Sequence, residues 1–275
     1  MAQIEQMHGK KVILQLTEVS KTFSQSEKNG AGSSPRHHSV LNRLSLSVRE
    51  GEFVTIVGPS GCGKSTLLNI IAGLDTPDSG SISVKKDSKD AEKIEGVVVI
   101  FQEGALFPWL TVRDNVEFGL KIAGVPREQR KRVAGHFLEL VRLAEFADAF
   151  VHQLSGGMKQ RAAIARALAL DPQILLMDEP FAALDVQTRE VLHEQLLQIH
   201  RSTGKTILFV THNINEAIQL GDRVILLSPY VRGIKREIVI DYPKPRDVEG
   251  PEVGAIRREL LSELQEDFRF AKNHS

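Results

Sequence analysis

The octapeptide Gly58-Pro59-Ser60-Gly61-Cys62-Gly63-Lys64-Ser65 follows the apolar run Phe53–Val57 and opens a helical stretch that ends near Gly73. Glycine, four residues, then Gly-Lys-Ser, set in a strand-to-helix turn, is the spacing of a phosphate loop. Glycines let successive backbone N–H groups converge on phosphate oxygens, and the helix N-terminus adds partial positive charge. Lys64 brings a full charge to β- and γ-phosphates, and the Ser65 hydroxyl suits magnesium. Cys62 reads as a small filler in this loop, although a helix N-terminus lowers a thiol's pKa.

Outward from the loop, the pattern is that of an α/β protein. Residues 97–101, 174–177 and 206–211 are continuous apolar runs of strand length, as central parallel strands covered on both faces require, and residues 223–227 add another. Upstream, residues 11–23 and 39–48 alternate apolar and polar, with Val40, Leu44, Leu46 and Val48 on one side, which predicts half-buried antiparallel strands. Residues 24–38 between them are rich in Ser, Gly, Pro and charge, and read as a mobile loop.

Residues 102–171 turn helical, with Pro126 at a helix start and Val133, Phe137, Leu140 and Val141 on one apolar face. A helical subdomain inserted into the α/β core is expected there. The domain would span residues 11–240. Residues 241–275 form an extension in which Ile256, Leu260, Leu261, Leu264 and Phe268 have helical spacing, a face expected to dock on the core.

Composition narrows the partners. The 35 basic residues are matched by 35 acidic ones in 275, so the chain has no global attraction for nucleic acid. No apolar run approaches the roughly 18 residues that a membrane-spanning helix needs. The first 16 residues lack the pattern of a secretory signal, and Cys62 is the one cysteine. A cytoplasmic, disulfide-free protein is expected.

Two further stretches carry chemistry. The strand-like run 174–177 ends in Asp178 and Glu179, where an α/β sheet places its ligand crevice. Asp178 there suits a magnesium ion and Glu179 an attacking water, the parts of metal-assisted phosphoryl transfer. Residues 154–161, Leu-Ser-Gly-Gly-Met-Lys-Gln-Arg, place Ser155 as the N-cap of a helix whose small and apolar positions are Met158, Ala162, Ala165 and Leu168. Gly156 and Gly157 leave its first donors open to an anion, a second phosphate-facing helix end.

With the phosphate loop, residues 154–160, residues 174–179, residues 183–185 and His212 after a strand, the chain resembles the nucleotide-binding subunit of an ATP-binding cassette transporter over residues 12–240. The resemblance implies a P-loop NTPase fold with a mostly parallel core sheet, an antiparallel β subdomain and the helical insertion. It implies that Gln102 senses magnesium and a membrane partner, and that Glu179 polarises water. His212 would contact the γ-phosphate, Asp185 would belong to the nucleotide site, and Phe23 would stack on adenine in place of the family's more frequent Tyr. It further implies a head-to-tail pair, with Ser155, Gly156 and Gly157 of one copy covering ATP held by residues 58–66, through Thr66, of the other.

Residues 103–112, Glu-Gly-Ala-Leu-Phe-Pro-Trp-Leu-Thr-Val, and 181–185, Phe-Ala-Ala-Leu-Asp, look like the importer ATPases for nitrate, sulfonate, taurine and bicarbonate. That branch implies a separate permease, a solute-binding protein acting indirectly, and a peripheral place on the cytoplasmic face of the membrane. The patch Phe107, Pro108, Trp109 and Leu110 suits a short helix of a permease, or burial within the helical subdomain. A cassette ATPase acting on nucleic acid or in translation is the competing class. A GTPase is disfavoured because the Asn-Lys-x-Asp guanine pattern is missing.

Overall fold

The computed structural model describes residues 9–25, 36–85, 96–102 and 105–273. The elements run β1 (Val12–Gln25), β2 (Arg36–Arg49), β3 (Phe53–Val57), α1 (Lys64–Ile71), β4 (Ser79–Val84), β5 (Val97–Ile100), α2 (Val112–Ile122) and α3 (Arg127–Leu140). They continue with α4 (Gly156–Ala169), β6 (Ile174–Asp178), α5 (Val186–Thr203), β7 (Thr206–Val210), α6 (Ile214–Leu220), β8 (Arg223–Ser228), β9 (Gly233–Val239) and α7 (Pro251–Asn273). The chain divides into two compact units, residues 1–95 with 210–275, and residues 96–209.

In the first unit β1 lies between β2 and β4, antiparallel to both. The alternation of buried side chains breaks on both long strands. On β1 it runs Leu14, Leu16, then Val19 and Lys21, and on β2 it runs Leu41, then Leu44, Leu46 and Val48. The breaks fall at Glu18 and Arg43, which both have positive φ, and whose side chains form an ion pair. A bulge adds one residue and restores the inward face. Leu41 is therefore the buried residue, not Val40 as strict alternation predicts. The strands also reach further than expected. Ser24, Gln25 and residues 36–38 are strand, while residues 26–35 of the expected loop lie outside the described residues.

β3 pairs in parallel with β8, and every residue of both is buried, the polar Thr55, Arg223 and Ser228 included. β9 follows antiparallel to β8. At the start of β3 a buried ion pair, Arg223 Nη1 to Glu52 Oε1 at 2.8 Å, ties β8 to the turn after β2. Burial pushes the Glu52 carboxyl up, against the opposing pull of Arg223.

The extension is helical and docked. Val253 and Leu260 of α7 are buried against Ile214, Ala217 and Ile218 of α6, Val57 of β3, and Val224 and Leu226 of β8, with Ile256, Leu261 and Leu264 beside them. The Phe268 side chain lies outside the described residues. Arg246 in the connecting segment donates to the carbonyls of Ile218, Gly221, Ile240 and Tyr242, and burial lowers its pKa to about 10. Lys235 of β9 reaches Asp267 at 3.0 Å and Glu263 at 3.1 Å. Burial works to lower that ammonium, but its bonds with Asp267, Glu263 and Glu266 hold it above the usual value.

In the second unit β5, β6 and β7 are neighbours in that order, β5 and β6 parallel. Between β5 and β6 the described residues form helices and 3-10 turns, with one isolated bridge from Thr111 to Phe150. Pro126 is the N-cap of α3, one position before the first turn, and the side chains most deeply buried on that helix are Ala134 and Leu138, flanked by Val133 and Phe137. Among the described residues no helix is long and apolar enough to cross a membrane.

Candidate nucleotide-binding and hydrolysis site

In the first unit β3 delivers the chain to Gly58, where a side chain cannot fit. An added Cβ would stand 2.5 Å from the Leu227 carbonyl oxygen of β8 and 2.6 Å from Cys62 Sγ. The loop closes on itself through Cys62 N donating to Pro59 O at 3.3 Å and Lys64 Nζ donating to Gly58 O at 2.8 Å and Pro59 O at 3.1 Å. Gly61 and Gly63 have φ of 80° and 98°, which only glycine adopts without strain.

Gly63 is the N-cap of α1 and brings no side-chain cap. The first N–H groups of α1, at Lys64, Ser65 and Thr66, therefore have no acceptor inside the helix and point at whatever the loop holds. Ser60, Gly61 and Ser65 are exposed, Pro59 and Thr66 half-buried, and Lys64 buried with its ammonium at the loop carbonyls. Cys62 is a buried free cysteine, and burial pushes its thiol up, opposed by Lys64. The desolvation outweighs the favourable charge of Lys64 and the backbone hydrogen bonds at the thiol.

The same unit carries two more of the expected residues. Phe23 on β1 is 42% exposed rather than a core side chain, with Lys21 Nζ 5.3 Å from its ring centroid. That leaves an aromatic face available for stacking. His212 is exposed in the loop between β7 and α6. Asn213 caps α6 there, its side chain accepting from Asn215 N at 3.0 Å and Glu216 N at 3.4 Å. Sequence reading passed over that cap, although Asn213 three residues before Glu216 is the pattern of a capped helix start.

The second unit holds the remaining residues. β6 is buried through Met177 and emerges at Asp178, and both Asp178 and Glu179 are half-buried. Glu179 has φ of 44°, a strained conformation for a non-glycine residue that turns the chain sharply at the strand end. Ser155 caps α4 by accepting from Met158 N at 3.3 Å. Ser155 and Gly156 are exposed, and Gly157 is buried where a Cβ would meet Thr188 Cγ2 at 2.7 Å. Asp185 caps α5, accepting from Thr188 N at 2.9 Å, and the Thr188 bonds hold its carboxyl below the usual range. Gln102 is exposed. Taken separately, the hydroxyl of Ser65 in the first unit and the carboxylate of Asp178 and amide oxygen of Gln102 in the second are hard oxygens of the kind magnesium prefers.

In the segment after Gln102, the Asn115 side chain accepts from Phe107 N at 2.8 Å and donates to Thr111 O at 2.9 Å, pinning the turn at residues 107–111. Phe107 packs on Phe118 with centroids 4.4 Å apart, whereas Trp109 is 69% exposed. A pocket of about 380 Å³ lies beside Phe107 and Phe118, lined by them and by Val98, Phe101, Ala163 and Leu170 among others.

A strand, a phosphate loop and an uncapped helix, with a second strand that ends in paired carboxylates, are the parts of a P-loop α/β nucleoside triphosphatase. The comparisons take this further. Residues 41–182 match the model of the family described as ABC transporter. An uncharacterized ABC transporter ATP-binding protein of Methanocaldococcus jannaschii is 46% identical over 258 residues, 94% of this chain and 93% of the relative. The nitrate import ATP-binding protein NrtD of a Synechocystis species is 46% identical over 224 residues, covering 80% of this chain and 82% of that one. The taurine import ATP-binding protein TauB of Yersinia pestis is 47% identical over 218 residues, covering 79% and 85%. Among solved structures, an ATP-binding cassette determined as a dimer in a post-hydrolysis state with ADP and phosphate matches with TM-score 0.68. It is 36% identical and covers 84% of this chain and all of its own. The chain belongs to the ABC transporter family, and it is an ATP-hydrolysing cassette.

Proposed function

We propose that this protein is the ATPase subunit of an importer for a small anion such as nitrate, a sulfonate, taurine or bicarbonate. The observation that carries this is the likeness, across about four fifths of the chain, to cassettes named for nitrate and taurine import. The exposed Trp109, on a turn pinned by Asn115 beside an apolar pocket, supports a docking place for a separate permease. The solute-binding protein acts through that permease, and the cassette works peripherally at the cytoplasmic face.

The N–H groups that open α1 bind the phosphates of ATP, Lys64 neutralises charge on the β- and γ-groups, and Phe23 stacks on adenine. Ser65, Asp178 and Gln102 would hold the magnesium ion that, when bound, neutralises charge on the β- and γ-oxygens. Glu179 accepts a proton from the attacking water, and His212 hydrogen-bonds the γ-phosphate. Ser155, Gly156 and Gly157 of a second copy cover the same nucleotide head to tail, so ATP bridges two copies and hydrolysis frees them.

The experiment is recovery of the affinity-tagged chain from detergent-solubilised membranes of its own source. A polytopic permease should come with it and stimulate its ATPase. Recovery of nucleic acid instead, with ATPase stimulated by that nucleic acid, would assign the chain to the competing class.

A further inference from the structure

α7 is tied to the loop that carries His212. Its buried face packs on α6, the helix that this loop enters. A run of hydrogen bonds extends the contact into the loop itself. Arg257 Nε donates to Asn215 Oδ1 at 2.8 Å, Asn215 N donates to Asn213 Oδ1 at 3.0 Å, and Asn213 N donates to Thr211 Oγ1 at 3.0 Å. Thr211 N in turn donates to Ile56 O of β3 at 3.1 Å. Of the chain neighbours of His212, Thr211 is held by the strand that leads into the phosphate loop, and Asn213 by the first turn of α6, whose Asn215 side chain Arg257 of α7 engages. A second nitrogen of the Arg257 guanidinium, Nη1, lies 3.7 Å from Glu249 Oε1.

We propose that Arg257 is a positioning residue, which through Asn215 and Asn213 holds the His212 loop where the imidazole meets the γ-phosphate, so that α7 sets the rate of hydrolysis. The proposal rests on the reading of His212 as the γ-phosphate contact. On this reading ADP, which lacks the γ-phosphate, is held by residues 58–66 and Phe23, and none of the polar bonds of Arg257 reaches them. A displacement of about 1 Å at a reacting centre can cost up to roughly 100-fold in rate. Loss of the Arg257 bond should thus lower kcat and leave ground-state binding alone.

The test uses the purified full chain, with steady-state ATPase kinetics and ADP calorimetry on the variants R257A, R257K, N215A, R257A/N215A and H212A. R257A is expected to lower kcat roughly three- to tenfold, as one lost hydrogen bond at the loop would. KM for ATP and the affinity for ADP should stay within about twofold. R257K should recover part of the rate, and the double variant should be no slower than the slower single one, since both remove the same link. If H212A abolishes turnover while R257A keeps the full rate, the positioning role is wrong and the reading of His212 stands. If H212A itself turns over ATP normally, the reading of His212 fails first. An R257A variant that loses ADP affinity as much as rate, or a double variant with additive losses, would reduce Arg257 to a structural contact and overturn the proposal.

Discussion

The Lys64 ammonium donates to the Gly58 carbonyl oxygen at 2.8 Å, so the lysine of the phosphate loop is bonded to the loop's first residue. A second bond to Pro59 O at 3.1 Å leaves one of the three ammonium protons for a phosphate. Lysine here both shapes the loop and supplies its charge. Lys64→Ala should weaken ATP binding by about 10- to 100-fold, the worth of a charge-assisted hydrogen bond, and abolish turnover. Calorimetry with ATP and magnesium measures the first effect and phosphate release the second. Unchanged affinity and rate would remove the phosphate-loop assignment.

Gly58→Ala tests the loop from the other side. Its Cβ would press against the Leu227 carbonyl at 2.5 Å, and β8 is packed too firmly to yield. A loss of about 1 to 3 kcal/mol in denaturant unfolding is expected, together with lost nucleotide affinity as the loop shifts off its strand. Unfolding and binding indistinguishable from the wild type would contradict this close approach.

The pair Arg223 and Glu52 predicts a pH signature. Arg223→Met leaves a buried carboxylate without its cation and should destabilise the protein by about 3 to 5 kcal/mol near neutral pH. Burial already holds the Glu52 carboxyl above its unfolded value, and loss of Arg223 raises it further. A carboxyl with a raised folded pKa binds its proton more readily when folded, so its destabilising effect is complete above that pKa and fades as pH falls through it. The deficit of Arg223→Met should therefore shrink on acidification, and adding Glu52→Gln should remove that pH dependence. Urea unfolding across a pH series measures both.

Burial of Cys62 makes its thiol a poor nucleophile. Maleimide labelling of the native chain at neutral pH should be slow and should run to completion once the chain is unfolded in urea. Rapid native labelling, followed by mass spectrometry, would show that the helix end dominates instead.

The phosphate loop was legible because its chemistry demands particular residues at particular offsets, and Gly58, Gly63 and Lys64 each stand where geometry requires them. β3, β6, β7 and β8 were legible as short, mainly apolar runs because strands covered on both faces tolerate few polar side chains. β4 and β9 carried no such signal. Ser79–Val84 buries none of its residues fully and Gly233–Val239 only one, so their strand state follows from the pairing that β1 and β8 offer. The bulges at Glu18 and Arg43 were equally hidden, since a period of two cannot reveal where a strand adds a residue. At the candidate site the cap at Ser155 was legible in the sequence, whereas the cap at Asp185 was passed over. The bonds from α7 to the His212 loop could not be read, because Arg257 and Asn215 are 42 residues apart and meet only through the packing of two helices.

The central claim is that ATP is held jointly by the phosphate loop of one copy and the Ser155 helix end of another. Light scattering of Glu179→Gln protein, mixed with ATP and magnesium, measures this directly, because blocked hydrolysis should trap the joined state. The account predicts a particle of twice the single-chain mass with ATP and of single-chain mass without it. A single-chain mass with saturating ATP at every protein concentration, and with the permease supplied, would show that the two copies do not share the nucleotide.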